Sequence, residues 1–280
     1  MNEWKELTEE SKAKWEENAE FWDSYMGDLS NQFHREIIRP KTEELLSVKT
    51  GQAVLDIACG NGNFSRRLTE LGAVVTAFDY SPNMVQRAIS RSEQVAPNID
   101  YRVIDATDYD SLLNLGIAQY DAAVANMAFM DIADIVPLVQ ALGQILRDNG
   151  VVVFSIPHPC FQAPGTRKIH ETEERNGEII HRNSVQVSSY LTPEPMYSIG
   201  IKGQPVAHLI FHRPLSYYIH TFMQSGFVLD CLEEPSFELD ESAKSRFDWY
   251  ELPAAVIFRF RKIRPQIIGT RWRRNGAIFL

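Results

Sequence analysis

Three acids and two glycines, spread over the first hundred or so residues, carry the chemistry open to this sequence. In "VLDIACGNGNF" (54–64), Asp56 stands four residues before Gly60, and Gly62 follows. Asp79 closes the apolar run "AVVTAFD" and Asp105 closes "DYRVID". Glycines at such a turn let backbone approach a ligand closely. A dinucleotide uses them to seat its diphosphate at a helix N-terminus. Here "GNGNFS" puts Ser65 where the third glycine of that fingerprint is usual, so the glycines alone say little. Asp56 argues against phosphate: at an effective dielectric of about 20, like charges about 4 Å apart repel by about 4 kcal/mol. A carboxylate at the turn suits an ammonium. Asp79, 17 residues beyond Gly62, suits two ribose hydroxyls. Asp105 suits the exocyclic amine of a purine. An amino acid, a ribose and an adenine without phosphate describe S-adenosylmethionine.

These residues need strands to carry them. "AVLDIA" (53–58), "AVVTAFD" (73–79), "DYRVID" (100–105), "YDAAVANM" (120–127) and "VVVFSI" (151–156) read as buried strands. Between them lie helical patterns over 62–71, from Pro82 with Ser81 as N-cap, and over 133–147, ended by Asp148-Asn149-Gly150. Apolar strands alternating with amphipathic helices predict a parallel sheet covered on both faces, wound right-handedly. Ligands then bind beyond the carboxyl ends of the strands. Upstream, residues 5–27 read as a helix with Trp15, Ala19, Trp22 and Met26 on one face, and 31–48 as a second, bent at Pro40. Residues 157–213 break the rhythm with prolines, glycines and short alternating pieces, and read as an insertion folded over the sheet. A helix starts at Pro214. The final runs, 227–234 and 254–262, predict an antiparallel pair at one sheet edge.

Composition sets bounds. Of 280 residues, 44% are hydrophobic and 23% charged, an ordinary globular balance with material for a sizeable core. No apolar run nears the roughly 18 residues of a membrane helix. The acidic N-terminus lacks the apolar core of a signal peptide, which places the protein in the cytoplasm. Cys59, Cys160 and Cys231 are too scattered for a disulfide framework or a zinc set, so no metal is expected. A net charge of -9 argues against nucleic acid as partner. Seven basic residues follow Glu251 with no acid. They read as a solvated strand edge and loose terminus, or as a site for an anionic partner.

"VLDIACGNGNFSRRL", "VTAFDYSPNMV", "RVIDATD" and "YDAAVANMAFMDI" resemble, in order and spacing, the motifs of class I S-adenosylmethionine-dependent methyltransferases. The resemblance is close over 53–156 and extends to about 262. "WEENAEFWDSYMG" and "HPCF" resemble a branch acting on small molecules. The resemblance implies a doubly wound, mostly parallel seven-stranded Rossmann-like sheet. It also implies that Asp56 and the backbone from Ala58 through Gly60 to Gly62 hold the methionine moiety. Asp79 would bind the ribose hydroxyls, Tyr80 would lie against the adenine, and Asp105 and Ala106 would bound its edge. Asn126 would meet the ammonium end through its backbone. The family's first glycine is Ala58 here, which predicts a slightly wider turn.

Methyl transfer is an in-line displacement that needs alignment and exclusion of water. A general base helps a hydroxyl or ammonium nucleophile and is unnecessary for a neutral amine. His158, directly after the fifth strand, is the candidate base; its other reading is a histidine hydrogen-bonded within a Pro-bounded turn. His34, His208, His212 and Tyr217 rank behind it. Trp15, Phe21 and Trp22, with the insertion, read as a lid over an apolar pocket that Tyr217 helps line, or as ordinary packing. The layout is then an N-terminal helical lid (1–50), a cofactor core (51–156), an inserted lid (157–213), completion of the core (214–264) and a basic tail (265–280). The expected function is methyl transfer to nitrogen or oxygen of a small-molecule acceptor, by a monomer or homodimer. An NAD(P)-dependent dehydrogenase would share the glycines and Asp79 but leaves Asp56 unexplained. A non-catalytic S-adenosylmethionine-binding protein is the other alternative. For a nucleic-acid methyltransferase, "NMAF" stands where an "NPPY"-like tetrad belongs.

Overall fold

The computed structural model describes residues 3–238 and 249–263. Arg264 and the basic tail at 265–280 lie outside the described residues. Seven strands form one sheet: β1 (Ala53–Ile57), β2 (Val74–Asp79), β3 (Asp100–Val103), β4 (Tyr120–Asn126), β5 (Leu146–Pro157), β10 (Phe227–Glu233) and β11 (Ala255–Lys262). Their order is β10-β11-β5-β4-β1-β2-β3. The first five run parallel, and β11 runs antiparallel to both of its neighbours. The fold is thus the doubly wound sheet expected. One edge of the sheet is β3, exposed to half-buried rather than buried; the antiparallel pair forms the other edge as expected, with β10 outermost and β11 between it and β5. The sequence explains it: "AAVIF" is buried on both faces, as an interior strand must be.

Successive residues of each strand feed opposite faces. Leu55, Ile57, Phe78, Ala123, Phe154 and Phe258 pack against α6 (Val136–Ile145) and α7 (Leu215–Gln224). Val54, Val75, Val124 and Val153 pack against α2 (Arg39–Leu46) and α3 (Asn63–Glu70). On the first face Phe154 stacks on Phe129 at 4.4 Å and on Phe222 at 5.2 Å, fixing the turn that follows β4.

α4 (Pro82–Ser92) starts as expected, with the Ser81 hydroxyl accepting the Met84 amide. A short α5 (Tyr109–Leu113), capped by Asp108, escapes the periodicity because five residues give too little pattern. α6 ends at Ile145, before the turn residues expected to end it. Leu146 already pairs with Tyr120 and Val151 with Ala122, so 147–150 loop out of register within β5. The Asp-Asn-Gly signal is used, with Asn149 left-handed, but as a bulge. The predicted bend at Pro40 is a π-helical turn, His34–Ile38, running into α2.

α1 (Glu3–Met26) lies across the strand ends. It is fastened to the turn after β3 by Lys12 to Asp105 (2.6 Å) and to α4 by Asp23 to Arg91 (2.5 Å). Buried Asn18 ties it to Val206 of the insertion at 2.9 Å. The insertion holds two antiparallel hairpins, β6 (Arg167–Arg175) with β7 (Glu178–Gln186) and β8 (Pro195–Ser198) with β9 (His208–Phe211). No helix among the described residues is long and apolar enough to cross a membrane.

Candidate cofactor and acceptor cavity

A cavity of about 700 Å³ opens over the carboxyl ends of β1, β2 and β4, roofed by α1 and the insertion. Its floor is the turn after β1. Ala58, Gly60 and Gly62 all have left-handed φ, at +51°, +54° and +72°. Gly62 opens α3, and a Cβ there would collide with the Tyr101 hydroxyl. Ala58 adopts the conformation a glycine would take, at a cost to an L-residue of about 1–2 kcal/mol. The turn stays stitched to β2 by the Cys59 amide on the Phe78 carbonyl at 2.9 Å.

Asp56 is buried, and its Oδ2 accepts the Ser65 hydroxyl at 2.5 Å. Burial, with the nearby Asp79 charge, pushes its carboxyl up to about 7. Asp79 accepts the Gly60 amide on Oδ2 and the Ser81 amide on Oδ1, each at 3.0 Å. Burial still lifts it to about 6. Neither acid forms an ion pair with a basic side chain among the described residues. A ligand cation would therefore meet two acids that lack a counter-charge.

The other expected residues fall in two groups. Tyr80, Ala106, Asn126 and Trp22 line the cavity. The Tyr80 hydroxyl donates to the Ser11 carbonyl of α1 at 3.3 Å, and Asn126 accepts the Thr42 hydroxyl at 3.1 Å. Asp105, His158 and Tyr217 are not among the lining residues. Asp105 turns to α1 and pairs with Lys12, while its Oδ1 accepts the Thr107 amide and hydroxyl at 2.8 Å each. His158 is buried with both ring nitrogens engaged: Nδ1 accepts the Cys160 amide at 3.2 Å and Nε2 lies 2.7 Å from Glu234 Oε1. Burial lowers its pKa. This is the Pro-bounded-turn reading of His158, with no nitrogen left for a substrate. Tyr217 packs beside the Arg213 guanidinium, 5.6 Å from its ring.

Three groups that sequence reasoning missed or ranked low stand out. Asp131 and His208 line the cavity, with His208 Nε2 3.8 Å from Asp131 Oδ1. Burial, then the Asp79 charge, raises the Asp131 carboxyl well above the usual range; burial lowers His208 to about 4. Arg213 is buried and donates to the carbonyls of Phe129, Ile132 and Ala133 at 3.2, 2.7 and 2.7 Å. It clamps the turn bearing Asp131. No local pattern links residues this far apart in sequence.

Comparison with known proteins agrees with this geometry. Residues 54–150 match the model of a family described as a methyltransferase domain. An S-adenosylmethionine-dependent methyltransferase of Mesorhizobium loti superposes with a TM-score of 0.61 at 25% identity, over 80% of this chain and 96% of that one. Malonyl-[acyl-carrier protein] O-methyltransferase of Pseudescherichia vulneris is 32% identical over 142 residues, 46% of this chain and 53% of the relative. Ubiquinone biosynthesis O-methyltransferase of Methylocella silvestris is 29% identical over 129 residues, 46% and 49% of the two chains. The chain thus spans about half the length of the curated relatives it matches. The acids Asp56 and Asp79, which have no ion-pair partner among the described residues, the close-approach turn and the volume fit S-adenosylmethionine, whose ammonium, sulfonium and ribose need such partners. The sheet order, the glycine turn with its two acids and the methyltransferase domain matched over residues 54–150 together liken this chain to the class I S-adenosylmethionine-dependent methyltransferases.

Proposed function

We propose that the protein transfers the methyl group of S-adenosylmethionine to a small-molecule acceptor. The observation that carries this reading is the pair of buried acids, Asp56 and Asp79, without counter-charge among the described residues, at a left-handed turn. In this reading Asp56 and the 58–62 backbone hold the methionine part, Asp79 the ribose, and Tyr80 and Ala106 the adenine. Asn126 lies at the ammonium end. Asp105 acts at one remove, by fastening α1 through Lys12. α1 and the insertion form the roof that keeps water from the reacting carbon. The net charge of -9 favours a small acceptor over nucleic acid.

Isothermal titration with S-adenosylmethionine, S-adenosylhomocysteine and NAD⁺ tests it. Micromolar binding of the first two and none of NAD⁺ is expected. Preference for NAD⁺ would return the chain to the dehydrogenase reading. Deleting residues 1–28 should weaken cofactor binding while the sheet stays folded.

A further inference from the structure

One wall of the cavity holds polar atoms that cofactor binding at the glycine turn leaves unused. Trp15 and Trp22, two helical turns apart on α1, set their rings 5.7 Å from each other. Both indole Nε1 atoms are buried without a hydrogen-bond partner among the described residues. Lining the same cavity, Asp131 Oδ1 is also buried and has no hydrogen-bond partner among the described residues. His208 completes the corner, its ring 4.8 Å from Trp15 and its Nε2 3.8 Å from Asp131 Oδ1. The Gln204 amide nitrogen, held on the Val206 carbonyl, donates to His208 Nδ1 at 3.0 Å. The neutral ring therefore carries its proton on Nε2, toward Asp131.

Buried polar atoms are nearly always paired. Two indole donors and one carboxylate acceptor, unpaired on one cavity wall, mark the place of a ligand group that both accepts and donates. Trp15, Trp22 and His208 lie outside the matched 54–150 segment, which carries the glycine turn. Asp131 is rigid: Arg213 holds the carbonyls around it, the Ser11 hydroxyl donates to its own carbonyl at 3.2 Å, and Phe129 is stacked on Phe154.

Three acceptor chemistries can be compared. A hydroxyl oxygen has two lone pairs. It can accept an indole N–H on one, attack with the other and give its proton to Asp131. A neutral amine has one lone pair, and an indole N–H would occupy it. A carboxylate has no proton to give and would set a further negative charge beside Asp131, Asp79 and Asp56.

We propose that Trp15, Trp22 and Asp131 form the acceptor subsite, that the acceptor is an alcohol or phenol methylated on oxygen, and that Asp131 takes its proton. This rests on the methyl-transfer reading above. The hydroxyl oxygen bonds to the methyl carbon, and the carbon–sulfur bond breaks with its electron pair passing to sulfur. The hydroxyl proton moves to Asp131 Oδ1, leaving an ether and a protonated carboxyl. The titratable groups that act on Asp131 are His208, with Nε2 3.8 Å from Oδ1, and, electrostatically, the Asp79 carboxyl and Tyr80. Burial, then the Asp79 charge, raises its proton affinity, the direction that favours uptake of the hydroxyl proton.

The test uses the full chain saturated with S-adenosylhomocysteine, probed with phenol, benzylamine and benzoate by ligand-observed NMR. Failure to bind S-adenosylhomocysteine would sink the methyl-transfer reading, before any probe is added. Given that binding, phenol should bind in preference to the other two. Asp131→Asn and Trp22→Phe should each weaken phenol by about tenfold or more, as for loss of a hydrogen bond to a charged or buried group. Their S-adenosylhomocysteine affinity should stay within about threefold. With S-adenosylmethionine, Asp131→Asn should lower turnover of a hydroxyl acceptor about a hundredfold or more. Preference for benzoate or benzylamine, absence of all three probes, or an equal loss of phenol and S-adenosylhomocysteine in the variants would overturn the proposal. The wild-type preference needs no variant to fold.

Discussion

The Gly60 amide donates to Asp79 Oδ2 at 3.0 Å, so the turn after β1 and the acid ending β2 form one unit. Asp79→Ala should therefore do two things. It removes the ribose acid and leaves the Gly60 and Ser81 amides without their acceptor, costing about 1–3 kcal/mol of stability. Asp79→Asn keeps one acceptor oxygen and should fall between. Urea unfolding and calorimetry with S-adenosylhomocysteine measure the two losses separately.

Asp56 makes stability depend on pH in a defined sense. Its folded pKa of about 7 lies above the ordinary carboxylate value. The folded state thus holds a proton that the unfolded chain has lost. That contribution is fully present below about pH 4 and disappears as pH rises to about 7. Asp56→Asn has no such proton. Its melting temperature relative to wild type should climb between pH 4 and 7 and level off above. A bound cation favours the ionised carboxyl, so S-adenosylmethionine should bind with proton release near pH 6.5. Calorimetry in buffers of different ionisation enthalpy reads that release. An unchanged melting difference from pH 4 to 8 would refute the assignment.

Ala58 occupies a left-handed conformation that costs an alanine and not a glycine. Ala58→Gly should stabilise the protein by about 1 kcal/mol, less the entropy glycine adds to the unfolded chain. A rise of about 2–4 °C in melting temperature is the corresponding shift.

His158→Gln should leave S-adenosylhomocysteine affinity and turnover within about threefold of wild type. Stability should drop by about 1–2 kcal/mol, because the Cys160 amide and Glu234 lose a buried partner. A loss of turnover of two orders of magnitude, with affinity retained, would restore His158 as a base.

The parallel core was readable in the sequence because four of its five parallel strands are largely apolar and its helices begin with strong signals such as Ser81-Pro82; β3, "DYRV", is the exception. The glycine turn was readable because Asp56, Gly60 and Gly62 are adjacent in the chain. The acceptor wall was not, since Trp15, Asp131 and His208 meet only through tertiary packing. Asp131 sits among apolar residues in "NMAFMDI", which carries no titration signal until the fold removes its solvent. His158 misled for the opposite reason. Its position after β5 is where a catalytic group often stands, yet Glu234 and the Cys160 amide occupy both nitrogens.

The interior place of β11 bears on how the chain is made. Its pairing with β5 spans Ala255 to Arg261, so β5 keeps a bare flank until the ribosome has added roughly a hundred further residues. A nascent chain carrying Val151 to Ile156 without that partner exposes an apolar ribbon able to join a neighbouring polypeptide. Premature stops anywhere before residue 255 should therefore yield aggregates rather than smaller enzymes.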